Sequence, residues 1–290
     1  MMQFKYYSGG KYNDRKKSIL LALVCSLLSV TLSASVDTVE IYSKSMFKGV
    51  NCVVITPEAY TQKDSRLPVV YLLHGARGNF SNWVTRVPDL QELADINKVM
   101  IVCPDGNPTS WYFDSPVDSS IRYETFIARE LTAFIDSSYR TLASREFRAI
   151  TGLSMGGHGA LFVAFRHPGI FGACGSMSGV FDVSLMPNGY GIDKVLGDRK
   201  TNSAYYKNWS VINLIDQVPK DSLAIIIDCG AQDFLSYMSR GVHQKMVKLN
   251  IPHDYIERPG KHDWTYWGKA IRYQLLFFRE QFYRGVSDLK

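Results

Sequence analysis

Ala149-Ile150-Thr151-Gly152-Leu153-Ser154-Met155-Gly156-Gly157-His158-Gly159-Ala160 is the stretch from which the remainder of this 290-residue chain can be read. It passes from a short apolar strand through G-x-S-x-G into a Gly/Ala-rich helix start. A serine in that setting sits on a strained strand-to-helix turn, with its hydroxyl lifted clear of the sheet edge. Gly152 and Gly156 suit the turn, which presses backbone against backbone and leaves no room for a Cβ. The N–H of Met155, at the helix N-terminus, points to where an oxyanion on Ser154 would form. Ser154 is therefore the candidate nucleophile, and the chain must supply a base and an acid. A glycine-rich turn that merely contains a serine is the competing reading.

Upstream, Pro68-Val69-Val70-Tyr71-Leu72-Leu73 is a continuous apolar run, as expected of a strand covered on both faces. His74-Gly75-Ala76-Arg77-Gly78-Asn79 follows as a sharp loop, and such loops line the ligand crevice of parallel α/β sheets. The second oxyanion donor is assigned to the backbone N–H of Ala76. Residues 89–96 read as a short helix and 99–103 as the next buried strand. The following loop carries Trp111-Tyr112-Phe113, which reads equally as a substrate wall or as packing under a long loop. Residues 38–43 and 51–56, joined by a turn around Lys48-Gly49, are expected to form an antiparallel edge.

Tyr123, Ile127, Leu131 and Phe134/Ile135 recur at helical spacing, so residues 121–137 are expected to form one core-facing helix. Further strands at 171–178, 223–230 and 251–257 alternate with helices at 235–249 and 267–283. That rhythm describes a single α/β domain with a mostly parallel sheet and helices on both faces. Residues 181–220 break it. Connections in such units usually run about 2–6 residues, so this insertion is expected to cover the site and shape specificity.

His158 and His167 lie near Ser154 in sequence, one on the elbow helix and one at its exit, where neither reaches back to the serine. His253 falls inside the last strand and reads as structural. His262, in the loop after that strand, is the candidate base. Asp228 and Asp233 compete for the acid. Asp228 still belongs to a strand end, whereas Asp233 lies in the loop beyond, where a carboxylate can reach a histidine, and it is preferred.

The N-terminus is a separate unit. Lys11, Arg15, Lys16 and Lys17 precede the apolar run 18–32, which exits through Ser33-Ala34-Ser35. A charged region, an apolar stretch and a small-residue exit describe a secretory signal over residues 1–35, cleaved near 34–35. An uncleaved anchor is the alternative. The chain is accordingly expected to be secreted or periplasmic, with no stable membrane association after cleavage. Five Lys/Arg and one acid in that segment account for +4 of the formal +6, leaving residues 36–290 near +2. Such a balance is no footprint for nucleic acid. Cys52, Cys103, Cys174 and Cys229 are scattered without C-x-x-C spacing and read as buried thiols, with a Cys174–Cys229 bridge as the alternative in an oxidising compartment. No clustered His/Cys/Asp spacing suggests a metal, and no cofactor is expected.

Taken in order, these segments resemble the esterase D / feruloyl esterase group of α/β-hydrolases, carbohydrate esterase family one, over roughly residues 50–285. The resemblance rests on Tyr71-Leu72-Leu73-His74-Gly75, Gly152-Leu153-Ser154-Met155-Gly156-Gly157, Asp228-Cys229-Gly230-Ala231-Gln232-Asp233-Phe234-Leu235 and Pro259-Gly260-Lys261-His262-Asp263-Trp264. The order Ser154…Asp233…His262 is the α/β-hydrolase order. The resemblance implies that these three residues are catalytic, that Ala76 and Met155 supply the oxyanion hole, and that Arg77, Trp111 and Trp264 are candidate substrate contacts. Lys261 departs from the group, which often has a glycine there; the change is expected either to alter the loop's flexibility or to put a charge at the pocket rim, without displacing the histidine. The implied chemistry is two-step acyl transfer to water, on acetyl or hydroxycinnamoyl (feruloyl) esters of carbohydrates. Acyl transfer to another alcohol, as in the related mycolyltransferases, and a non-catalytic binding protein are the competing functions.

Overall fold

The computed structural model describes residues 34–187, 190–219 and 222–284. The expected signal segment falls almost wholly outside these residues, as do Asn188, Gly189 and Lys220 of the insertion. Eight strands make one sheet in the order β1-β2-β4-β3-β5-β6-β7-β8. They are β1 (Ser35–Ser43), β2 (Lys48–Thr56), β3 (Val69–Leu73), β4 (Met100–Pro104), β5 (Arg148–Gly152), β6 (Ala173–Met177), β7 (Ala224–Gly230) and β8 (Asp254–Arg258). β1 and β2 are antiparallel to their neighbours, and β4 through β8 run parallel. The expected antiparallel edge is present, but its turn spans residues 44–47, because Lys48 and Gly49 already pair within β2.

All five residues of β3 are buried, as its unbroken apolar sequence requires. Val70 and Leu72 join a core cluster built with Trp83, Leu90, Leu93, Ile271, Leu275 and Phe278, so the helices Leu90–Asn97 and Trp264–Phe282 cover that face. The elbow helix Met155–Arg166 packs on β3, β5 and β6, and the helix Ser236–Lys248 packs on β7. Burying apolar side chains on both sides stabilises the sheet at about 25 cal/mol per Å² removed from water. A buried polar clamp adds register. Thr151 on β5 donates to the Gln274 amide oxygen, whose amide nitrogen donates to the Ser176 carbonyl on β6 (3.0 Å). Among the described residues, no helix is long and apolar enough to cross a membrane.

The helix expected over 121–137 is divided. Tyr123–Thr125 and Thr132–Ser138 are α-helical, and Phe126–Leu131 between them is π-helical. The Thr132 hydroxyl donates to the carbonyls of Ala128 (2.9 Å) and Arg129 (3.2 Å), competing with the regular ladder where the turn widens. The C-terminal helix begins three residues earlier than its apolar pattern indicates, because Asp263 caps it by accepting the Tyr266 N–H at 2.9 Å. The last strand starts at Asp254, so His253 lies before it. Its Nδ1 bonds the Ile251 carbonyl (2.8 Å) and its Nε2 meets His243 Nδ1 (2.9 Å).

Among the described residues, Cys52, Cys103, Cys174 and Cys229 are buried free thiols. β6 and β7 are neighbours, but their register pairs Cys174 with Ile225, so Cys229 lies four positions further along its strand and no bridge forms.

Candidate active site

Four loops at the C-terminal ends of β3, β5, β7 and β8 converge on Ser154. The serine occupies the turn between β5 and the elbow helix at φ 54°, ψ −115°. Such a backbone costs about 1–3 kcal/mol and persists only where its surroundings enforce it. Here its N–H donates to the Met177 carbonyl (2.9 Å), and its carbonyl accepts from His158 (3.0 Å). A Cβ on Gly156 would stand 2.5 Å from the His74 carbonyl oxygen, so only glycine lets the elbow approach the β3 loop.

His262 Nε2 is 3.0 Å from Ser154 Oγ, and His262 Nδ1 is 2.8 Å from Asp233 Oδ2. The carboxylate only accepts, so Nδ1–H donates to it and Nε2 is left to accept the serine proton. Asp233 Oδ1 accepts the Leu235 N–H at 2.8 Å. Burial pushes the Asp233 carboxyl upward, but the bonds from His262, Leu235 and Ser178 outweigh it and hold the group below the ordinary carboxylate range. The loops carrying the acid and the imidazole are tied together. Gln232 N–H donates to the Gly260 carbonyl (2.9 Å), and Gly260 N–H donates to the Gln232 amide oxygen (2.7 Å).

Asp228, the competing acid, is elsewhere. Its two oxygens accept from Tyr266 Oη and the Arg258 guanidinium, and burial raises its carboxyl. His158 is enclosed by Phe113, Phe162 and Trp111, bonds the Val180 carbonyl at 2.7 Å, and is pushed down to about 4 by burial. His167 pairs with Glu124 at 2.8 Å. Neither imidazole joins the serine.

Ala76 and Met155 flank the serine on the β3 loop and the elbow helix, and among the described residues neither backbone N–H has a protein acceptor. The β3 loop is braced by His74. Its Nδ1–H donates to the Gly75 carbonyl (2.8 Å), its Nε2 accepts from Gly106 N–H (2.8 Å), and Tyr112 Oη donates to its carbonyl (3.0 Å). A cavity of about 410 Å³ opens beside Ser154 and His262. Arg77, Trp111 and Trp264 all line it. Trp111 combines both readings of its loop, because it is buried yet borders the cavity, with its indole N–H on the Tyr190 carbonyl (3.0 Å). Met186 and Tyr190 bring the 181–220 insertion into the wall, whereas Lys261 is exposed and outside the lining.

Three contributors have no motif of their own. Ser178, at φ 52°, is wholly buried and accepts the Trp267 indole N–H at 3.1 Å. Trp267 meets His262 edge-on at 4.9 Å. Arg86, on the short helix Asn82–Arg86, borders the cavity. A place just past a parallel strand is the only sequence signal for Ser178. Among the described residues, no group of three or more His, Cys, Asp or Glu could hold a metal ion.

The arrangement can move a proton from a serine to an imidazole and stabilise the resulting charge. The family model for Esterase matches residues 43–278. The esterase Rv1288 of Mycobacterium tuberculosis is 35% identical over 134 residues, 45% of this chain and 29% of that protein, so the match spans under a third of that relative's length. The acetyl esterase of Caldicellulosiruptor saccharolyticus is 27% identical over 255 residues, covering 80% of this chain and 94% of that enzyme. A solved ferulic acid esterase aligns with a TM-score of 0.75 at 28% identity, covering 86% of this chain and 99% of that one.

Proposed function

Because the chain belongs to the Esterase family and is an α/β-hydrolase related to the feruloyl esterases, we propose that it hydrolyses carboxylic esters through an acyl-enzyme on Ser154. The observation that carries this reading is the unbroken hydrogen-bond chain Ser154–His262–Asp233 at the mouth of the cavity. His262 accepts the Ser154 proton as Oγ attacks the ester carbonyl. The oxyanion binds the N–H groups of Ala76 and Met155, each worth about 2.7–4 kcal/mol of barrier. Collapse expels the alcohol, which takes its proton from His262. Water, deprotonated by the same imidazole, then attacks the acyl carbonyl and releases the acid and free Ser154. Asp233 holds the imidazole tautomer and stabilises the imidazolium.

We assign the natural substrates to acetyl or hydroxycinnamoyl esters of carbohydrates. The aromatic wall of Trp111, Trp264 and Trp267 supports this class, because such rings stack on flat acyl groups and sugar faces. The test is hydrolysis of 4-nitrophenyl acetate and butyrate, then of feruloylated and acetylated xylan oligomers, each beside Ser154→Ala. Activity lost in the variant supports the reading. A folded wild-type protein inert on every ester overturns it, and transfer of the acyl group to an added sugar in preference to water would make it an acyltransferase.

A further inference from the structure

Resting on the esterase reading, we propose that the ester this site takes carries a carboxylate, bound by Arg77 and Arg86. Both arginines line the cavity beside Ser154, and among the described residues no Asp or Glu lines it; besides Ser154 and His262, the other walls are aromatic, aliphatic, amide or glycine. A cleft of one sign focuses the field on an incoming ligand of the other. The planar guanidinium also matches a carboxylate with paired hydrogen bonds.

The two cations stand on anchored backbone. Arg77 follows the proposed oxyanion donor directly. Its φ is 63°, its N–H donates to the Pro108 carbonyl (2.8 Å), and its guanidinium lies 5.7 Å from the Tyr190 ring centroid. Arg86 sits one turn after Asn82, and residues at that spacing share a helix face; both line the cavity. That helix is bolted to the end of β3 by Trp83, which is buried and donates its indole N–H to the Leu73 carbonyl (3.1 Å). Trp83 also meets Trp264 edge-on at 5.2 Å, which ties this helix to the first residue of the C-terminal helix.

The charge at Arg86 is unspent within the protein. Arg148, Arg166, Arg240, Arg258 and Arg272 each contact a carboxylate within 3 Å, whereas no carboxylate among the described residues pairs with Arg86. Residues 36–290 are close to neutral overall, so the attraction is local to this cleft.

A carboxylate could sit on the acyl or on the alcohol side, and two matched pairs separate these sources. The acyl pair is 4-nitrophenyl hemisuccinate against 4-nitrophenyl butyrate. The alcohol pair is 4-acetoxybenzoate against its neutral methyl ester. Rates are corrected with Ser154→Ala, which removes spontaneous hydrolysis. The expected result is an anionic-to-neutral ratio of kcat/KM of about tenfold or more in one pair, falling as salt is raised. Arg86→Gln should lower that ratio severalfold, and Arg86→Glu should reverse it. Arg86 is exposed, so these variants are expected to fold. A ratio near one in both pairs, or one that Arg86→Glu leaves unchanged, overturns the proposal while the esterase reading stands. Wild-type protein inert on all four but active on the xylan esters overturns this inference alone; inert on every ester, it overturns the esterase reading as well.

Discussion

The indole N–H of Trp267 donates to the hydroxyl of Ser178 across 3.1 Å, which anchors the serine between the C-terminal helix and the loop after β6. The Cys229 thiol faces the same oxygen at 4.0 Å, and Ser178 adds to the bonds from His262 and Leu235 that hold the Asp233 carboxyl below the ordinary carboxylate range. Ser178 and Trp267 thus form a relay behind the acid, and Trp267 also abuts the imidazole. Ser178→Ala should lower kcat/KM on 4-nitrophenyl esters about tenfold, since a hydrogen bond to a charged group is worth about 1.5–3 kcal/mol. Circular dichroism should be unchanged. A variant as active as wild type would detach Ser178 from the acid.

The two aspartates should separate in their effects. Asp233→Asn leaves the fold intact but presents the wrong tautomer partner to His262, so kcat should fall roughly 10³–10⁴-fold. Asp228→Asn instead leaves the partly solvated Arg258 guanidinium beside a buried neutral amide, at a cost of roughly 1–3 kcal/mol of stability with most turnover retained. Urea unfolding and single-turnover rates on both variants check the assignment, and the opposite pattern would exchange the two roles.

The elbow tolerates no side chain at its closest approach. Gly156→Ala would place a Cβ 2.5 Å from the His74 oxygen and 2.6 Å from that of Leu73, both main-chain atoms that cannot swing aside. A loss of about 3 kcal/mol or more is expected, with activity falling as the β3 loop is displaced. Thermal unfolding measures it, and a Tm within 2 °C of wild type (about 1 kcal/mol or less) would contradict the close approach.

Acid should weaken the fold through His158. Its folded value of about 4 lies below the ordinary 6.5, so the unfolded chain takes up the proton first as pH falls. The contribution is complete above 6.5 and is lost between 6.5 and about 4, amounting to about 2 kcal/mol at pH 5. His74, also held down by burial, acts in the same direction. Urea midpoints at pH 7 and pH 5 should differ less in His158→Gln than in wild type. Equal differences in the two proteins would rule out this source.

The elbow, the eight strands and the place of Asp233 beside His262 were readable because each leaves a local trace: glycines where backbones touch, unbroken apolar runs, a carboxylate just past a strand. What could not be read depends on distant partners. Residues 121–137 have helical spacing throughout, and the Thr132 hydroxyl bonds that accompany the π-turn carry no periodic signal. Ser178 is a lone serine until Trp267, 89 positions later, occupies its acceptor. Arg86 becomes a cavity residue only through Trp83, whose anchor is a carbonyl on β3. Trp111 satisfied two readings because a buried ring can show one edge to a cavity.

Among the described residues, four thiols sealed in the sheet give this protein an internal clock for its own opening. Burial pushes Cys52, Cys103, Cys174 and Cys229 well above the ordinary thiol range, so in the folded state they are neither ionised nor reachable by an alkylating reagent. Each lies on a different strand (β2, β4, β6 and β7), so the order in which they become labelled would report which part of the sheet parts first.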